Sequence, residues 1–225
     1  MLLATAMLNA QDIKTPQIHI TSQSTKEVMP DWVAFEMTIE ITDENAKTAM
    51  NVLLERKKIL LGNLTNRTKI KEDSIKSISF NTYQRYYNPQ KNEKIYYVAR
   101  ETMRLVISAD TQKTSELLGL ITDAIPEIKV QLQPQISPAL QASLDQALME
   151  EVVAKARKEA LIIAKASGYA MVNIFQINYH PGNRGGVFRA SSYEMKDSNP
   201  KSVPDYQFSK ETLNKEMSFV FNLYH

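Results

Sequence analysis

Two long β-rich runs with a short polar segment between them constrain the fold of this chain more than any other sequence feature. The runs are Ser74–Tyr87 and Lys94–Ser108, and residues 88–93 between them read Asn-Pro-Gln-Lys-Asn-Glu. Polar turn formers between alternating apolar runs predict a β-hairpin with a long tip. Because the strands of a hairpin are antiparallel, a doubly wound parallel sheet is disfavoured.

Alternating and helical patterns precede the hairpin. Residues 17–23 and 32–41 alternate between apolar and polar side chains, which predicts two strands with one wet face each. A helix is predicted next, with Thr42 or Asp43 as its N-cap and its end near Asn63.

The elements after the hairpin complete the predicted order. They are a helix capped at 110–111 and ending near 124, a strand over 128–136, a helix over 137–167, and strands over 171–179 and 213–223. The third helix is long and rich in alanine, the best helix former, and Gly168 supplies its stop. The order β-β-α-β-β-α-β-α-β-β predicts an α+β fold, in which helices pack on antiparallel sheets.

The start of the chain predicts export. Residues 1–10 combine a short apolar run with a small residue, Ala10, before Gln11, as at the end of a secretory signal peptide. The run is too short to span a bilayer, which takes about 20 residues, so no transmembrane segment is expected. We therefore interpret 1–10 as a signal-peptide remnant and 17–224 as a single domain, in which two lobes sharing one core remain an option.

Composition disfavours several classes of function. The 27 Lys and Arg residues nearly balance the 25 Asp and Glu residues, and the two signs are interleaved, so no nucleic-acid partner is expected. There is no cysteine, and the histidines at 19, 180 and 225 form no closely spaced ligand pair. The nucleophile pattern Gly-x-Ser-x-Gly is absent. We therefore predict no catalytic residue, no cofactor site and no metal site.

The hairpin carries a group of aromatic and basic residues that forms a candidate assembly surface. Its members are Tyr83, Arg85, Tyr86, Tyr87, Tyr96 and Tyr97. Tyrosine and arginine are the residue types that most often anchor protein interfaces. The same residues are suited to cross-strand pairing within the hairpin or to stacking on a ligand.

Several segments together resemble the SIMPL-domain family, a bacterial periplasmic and envelope group. Residues 28–34 (Val-Met-Pro-Asp-Trp-Val-Ala) resemble its strand opening V-x-P-D-x-A, and 73–77 and 96–106 resemble later strands. The most specific stretch runs from Glu151 through Ala160 to Gly168 and is similar to the alanine-rich helix of the family.

This resemblance implies an exported protein, because the family is periplasmic or in the outer envelope. Some members assemble into ring-like or channel-like oligomers, and no catalytic residues are known that could be carried over. We therefore expect a non-enzymatic envelope protein that forms a homo-oligomeric scaffold, with any envelope protein partner unidentified. The alternative is a monomeric periplasmic module that binds a protein or a small ligand.

Overall fold

The computed structural model describes residues 15–87, 94–179 and 208–225. The predicted signal-peptide remnant and the hairpin tip lie outside these ranges. The described elements, in chain order, are β1 Gln17–Val28, β2 Trp32–Asp43, α1 Ala46–Arg67, β3 Ile75–Tyr87, β4 Lys94–Ser108, α2 Thr111–Ala124, β5 Lys129–Gln135, α3 Pro138–Ala166, β6 Met171–Asn178 and β7 Glu211–Tyr224. The predicted element order and the α+β class are confirmed.

The start of α1 differs from its prediction. Asn45 is the N-cap, and its side chain accepts hydrogen bonds from the backbone N–H groups of Lys47 at 2.9 Å and Thr48 at 3.2 Å. Thr42 and Asp43, the predicted caps, belong to β2 instead. They remain extended because they pair with β4, with Asp43 opposite Tyr97. The helix also continues to Arg67, one turn beyond its predicted end.

The other two helices begin where their caps predict. The Asp110 carboxylate accepts a hydrogen bond from the backbone N–H of Lys113 at 2.9 Å, which caps α2. The Ser137 hydroxyl accepts one from the backbone N–H of Leu140 at 3.2 Å, which caps α3. Gly168 follows α3 with a φ of +84°, a left-handed conformation that favours glycine.

The strands form two antiparallel sheets, with the orders β1-β7-β6 and β3-β4-β2-β5. The chain divides into two compact units, one for each sheet. Residues 28–141 form a continuous part of the second unit, so they lie in the sequence between β1 and most of α3, which both belong to the first.

The second unit buries one face of its four-stranded sheet under α1 and α2. On β2, the inward row consists of Val33, Phe35, Met37 and Ile39. The side chains that pack against this row include Leu53, Leu60 and Leu64 of α1, Leu117 and Ile121 of α2, and Met103 and Leu105 of β4. This burial of apolar surface is the main stabilising contribution in the unit.

The first unit packs α3 on the three-stranded sheet. Val152, Ala156 and Ala160 recur every fourth residue on one face of α3 and are fully buried. They contact large side chains of the sheet, Phe219 and Phe221 of β7 among them. Because alanine has no side chain beyond Cβ, the helix backbone can lie close to these rings.

Candidate assembly surface

The β3–β4 hairpin has a regular register over most of its length. Tyr83 lies opposite Val98, Arg85 opposite Tyr96, and Tyr86 opposite Ile95. The ladder is interrupted between Ser77 and Ser79, which leaves Ile78 in a β-bulge. Beyond this bulge the hairpin is an uninterrupted antiparallel ribbon up to the last described pair.

The register divides the predicted tyrosine group between the two faces of the sheet. Because successive side chains of a strand alternate, Tyr83, Arg85 and Tyr96 share one face. Tyr86 and Tyr97 lie on the other face, which is also the face of the core residue Ala99. Tyr87 is the last residue of β3 and pairs with Lys94. The group is therefore not one continuous patch, which the sequence alone does not reveal.

Arg85 is engaged by its own unit. Its Nη2 donates to Oε1 of Glu40 and to the hydroxyl of Tyr83, each at 3.0 Å. Its guanidinium carbon lies 5.8 Å from the centre of the Tyr83 ring, within cation–π range. The hydrogen bond to Glu40, followed by that to Tyr83, raises the pKa of Arg85. This arginine therefore links two neighbouring parts of the sheet rather than standing open to a ligand.

The larger exposed feature of the hairpin is the edge strand β3. It is the end strand of the four-stranded sheet, and the exposed fractions of Phe80 and Tyr86 are 46% and 61%. Ile78 and Tyr83 on the same strand, and Ile95 on β4, are also exposed. Sequence reasoning missed Ile78, Phe80 and Ile95, because the alternation that marks a strand does not say whether helices cover it.

A buried charge lies on the opposite strand of the hairpin. Glu101 is 2% exposed and stands in the inward row of β4 between Ala99 and Met103. Lys57 Nζ of α1 donates to its Oε1 at 2.6 Å, and the Ser77 hydroxyl donates to the same oxygen. Sequence reasoning did not select these residues, although a carboxylate in an otherwise apolar inward row is a signal that could have found them.

The described parts of the chain were also examined for metal ligands and membrane spans. Within them, no group of three or more His, Asp or Glu side chains is arranged to hold a metal ion. None of the helices described has both the length and the apolar composition needed to cross a bilayer.

Comparison with protein families gives one match, to the SIMPL model, whose description is "Protein of unknown function (DUF541)" and which covers residues 18–221. The chain belongs to the SIMPL family. The match extends over nearly the whole sequence, so the resemblance of the separate segments is confirmed as family membership. No curated protein matches this chain.

The structure explains the Pro-Asp opening of this SIMPL chain in local terms. The Asp31 carboxylate accepts a hydrogen bond from the backbone N–H of Ser137 at 2.6 Å. Its backbone carbonyl accepts one from Ala109 at 2.8 Å. Burial alone would raise the pKa of Asp31, but the hydrogen bonds from Ser137 outweigh it, and the pKa is lowered. Asp31 therefore joins the start of β2 to the start of α3.

Proposed function

We propose that this SIMPL protein is a non-enzymatic envelope protein, exported by a signal peptide, that assembles with copies of itself through the β3–β4 hairpin. The observation that carries the proposal is the exposed edge strand β3 with its apolar side chains, Phe80 and Tyr86 above all. The free backbone groups of an edge strand are a template for pairing with another chain. Apolar side chains beside such an edge favour a partner that removes them from water.

The usual protections of an edge strand are concentrated at the start of β3. Lys76 and the bulge at Ile78 would both disfavour pairing there. Residues 79–87 contain neither proline nor lysine. Their one charged residue, Arg85, is held by Glu40 of the same unit. The edge from Ser79 onward is therefore suited to pairing with a second copy.

The geometry of pairing determines the type of oligomer. Two copies that pair β3 with β3 would form a closed two-fold dimer. A β3 edge that contacts a different surface of the next copy would form a ring, if the rotation closes. We propose the ring-like or channel-like form, in keeping with what the family resemblance implies.

Two observations support the remaining parts of the proposal. The small residue at position 10, after an apolar run, supports signal-peptide cleavage and a location in the periplasm or outer envelope. The exposed tyrosine and arginine side chains of the hairpin are engaged in structural contacts, as Arg85 illustrates, which supports a scaffold rather than a catalytic role.

The first test compares the mass in solution of the wild type with that of a Phe80→Lys/Tyr86→Lys variant. We expect an oligomer for the wild type and a single chain, 25.6 kDa for residues 1–225, for the variant, since lysine on an edge opposes pairing. Light scattering gives the mass, and circular dichroism checks the fold. A variant with residues 86–96 replaced by Asn-Gly should behave in the same way.

The matched control is Ile162→Lys/Phe175→Lys, which changes apolar residues of the other unit that are each 61% exposed. The control should keep the wild-type mass. An unchanged mass in the folded hairpin variants would reject assembly through the hairpin. A wild type of single-chain mass would favour the alternative, a monomeric binding module for a protein or a small ligand.

A further inference from the structure

A cleft of about 460 Å³ lies between α1 and the start of β3. It forms because α1 packs on β2 and β4, whereas β3 extends the sheet beyond the helix. Leu61, Ile75 and Met103 form its apolar wall. The volume falls within the range of roughly 300–1,000 Å³ that is typical of small-molecule sites.

The polar side of the cleft includes Lys57 and Ser77, which both donate to the buried carboxylate of Glu101. The exposed fraction of the side chain is 30% for Lys57 and 3% for Glu101. A buried ion pair contributes little stability compared with apolar residues of similar size. Stability alone therefore gives no reason for a charged pair in the inward row of β4. Charged groups held beneath a cleft are typical of binding sites.

The charge balance of the cleft indicates the class of ligand. Glu101 neutralises Lys57 and holds its ammonium group at 2.6 Å, away from the other carboxylates of the lining. Those carboxylates are Glu72 and Asp73, which are exposed and, in the described part of the chain, form no salt bridge. The remaining field is negative, and the wall beside it is apolar.

We propose that this cleft binds a small organic cation, an alkylamine or alkylguanidine. Its charged group would lie at Glu72 and Asp73, and its carbon chain would contact Leu61, Ile75 and Met103. The two acidic residues alone would not argue for a ligand; the buried pair and the apolar wall beside them do. This inference does not depend on assembly through the hairpin.

The test measures binding of cadaverine and agmatine to the full chain by calorimetry and by amide chemical shifts. Neutral 1,5-pentanediol serves as the uncharged probe. The test variant is Glu72→Gln/Asp73→Asn, and the matched control is Glu55→Gln/Asp123→Asn, which removes two exposed carboxylates of the same unit outside the cleft. We expect the amines to bind more tightly than the diol, and the test variant to weaken them about fivefold relative to the control, as two solvent-screened ion pairs would give.

The expected chemical-shift changes map to the amides of Leu61, Ile75 and Ser77. Equal affinity in the test and control variants would overturn the proposal, because it would show that only the net charge matters. The proposal would also be overturned if the amines bound no more tightly than the diol, or if no binding appeared at millimolar concentration.

Discussion

Asp31 occupies a junction where three segments of one unit meet. Its carboxylate holds the N-cap residue of α3, and its carbonyl holds the residue that follows β4. The motif resemblance indicates that an aspartate belongs at this place, but not which group it binds. Its partner lies 106 positions away in the sequence, beyond the reach of any local pattern.

The first residue-scale prediction concerns Asp31→Asn. We expect the free energy of unfolding at pH 6 to fall by about 1 kcal/mol, the usual cost of losing a helix-capping carboxylate. Because the folded-state pKa of Asp31 is lowered from 3.8, the wild-type advantage should be complete above pH 3.8 and should be lost as the pH falls below it. Denaturant unfolding at pH 6 and pH 3 measures both values.

The control for this pH dependence is Asp123→Asn, which changes an exposed aspartate of α2. Its stability difference from the wild type should be small at both pH values. A difference between wild type and Asp31→Asn that stays the same at pH 3 would show that the charge of Asp31 does not strengthen the hydrogen bond.

At the scale of elements, the alanine face of α3 illustrates what a sequence can predict. The composition predicts a long helix that allows close approach, and the structure places Ala156, Ala160 and Ala164 fully buried on one face. Helix and strand periodicities are local properties, so the order of all ten helices and strands described could be predicted from them.

Other features of the elements could not be predicted, because they depend on pairing between distant segments. The bulge at Ile78 shifts the register of β3, and the position of β3 at the sheet edge leaves Phe80 uncovered. The N-cap of α1 was predicted too early because Asp43 is as good a cap as Asn45 until the pairing of β2 with β4 is known. Of the candidate surface, the tyrosines were found, but their division between two faces was not.

The prediction for α3 is that Ala156→Leu and Ala160→Leu each overpack the contact with the sheet. We expect each variant to lose about 1–3 kcal/mol of stability, measured by denaturant unfolding. Ala154→Leu on the same helix is the matched control, because Ala154 is exposed, and its stability should stay near that of the wild type. Wild-type stability in both test variants would contradict the packing described for this face.

For the whole molecule, the prediction is removal of residues 1–10 during export. N-terminal sequencing of the protein from its native cells should give Gln11 as the first residue, because Ala10 is small enough for the cleavage site. Ala10→Tyr should block this processing, since a large residue does not fit there. Intact Met1 on wild-type protein in the cytosol would contradict export.

The pairing of β1 with β7 has a consequence for the order in which the molecule can form. The hydroxyl groups of Thr21 and Ser218, which join these strands, are 197 positions apart, so the ends of a very long loop must meet before this contact stabilises anything. A chain leaves the ribosome from its N-terminus, and β1 emerges long before the strand that completes its sheet. Residues 28–141 contain all four strands of the other sheet, so that sheet can close first while β1 remains without a partner until β7 has been synthesised.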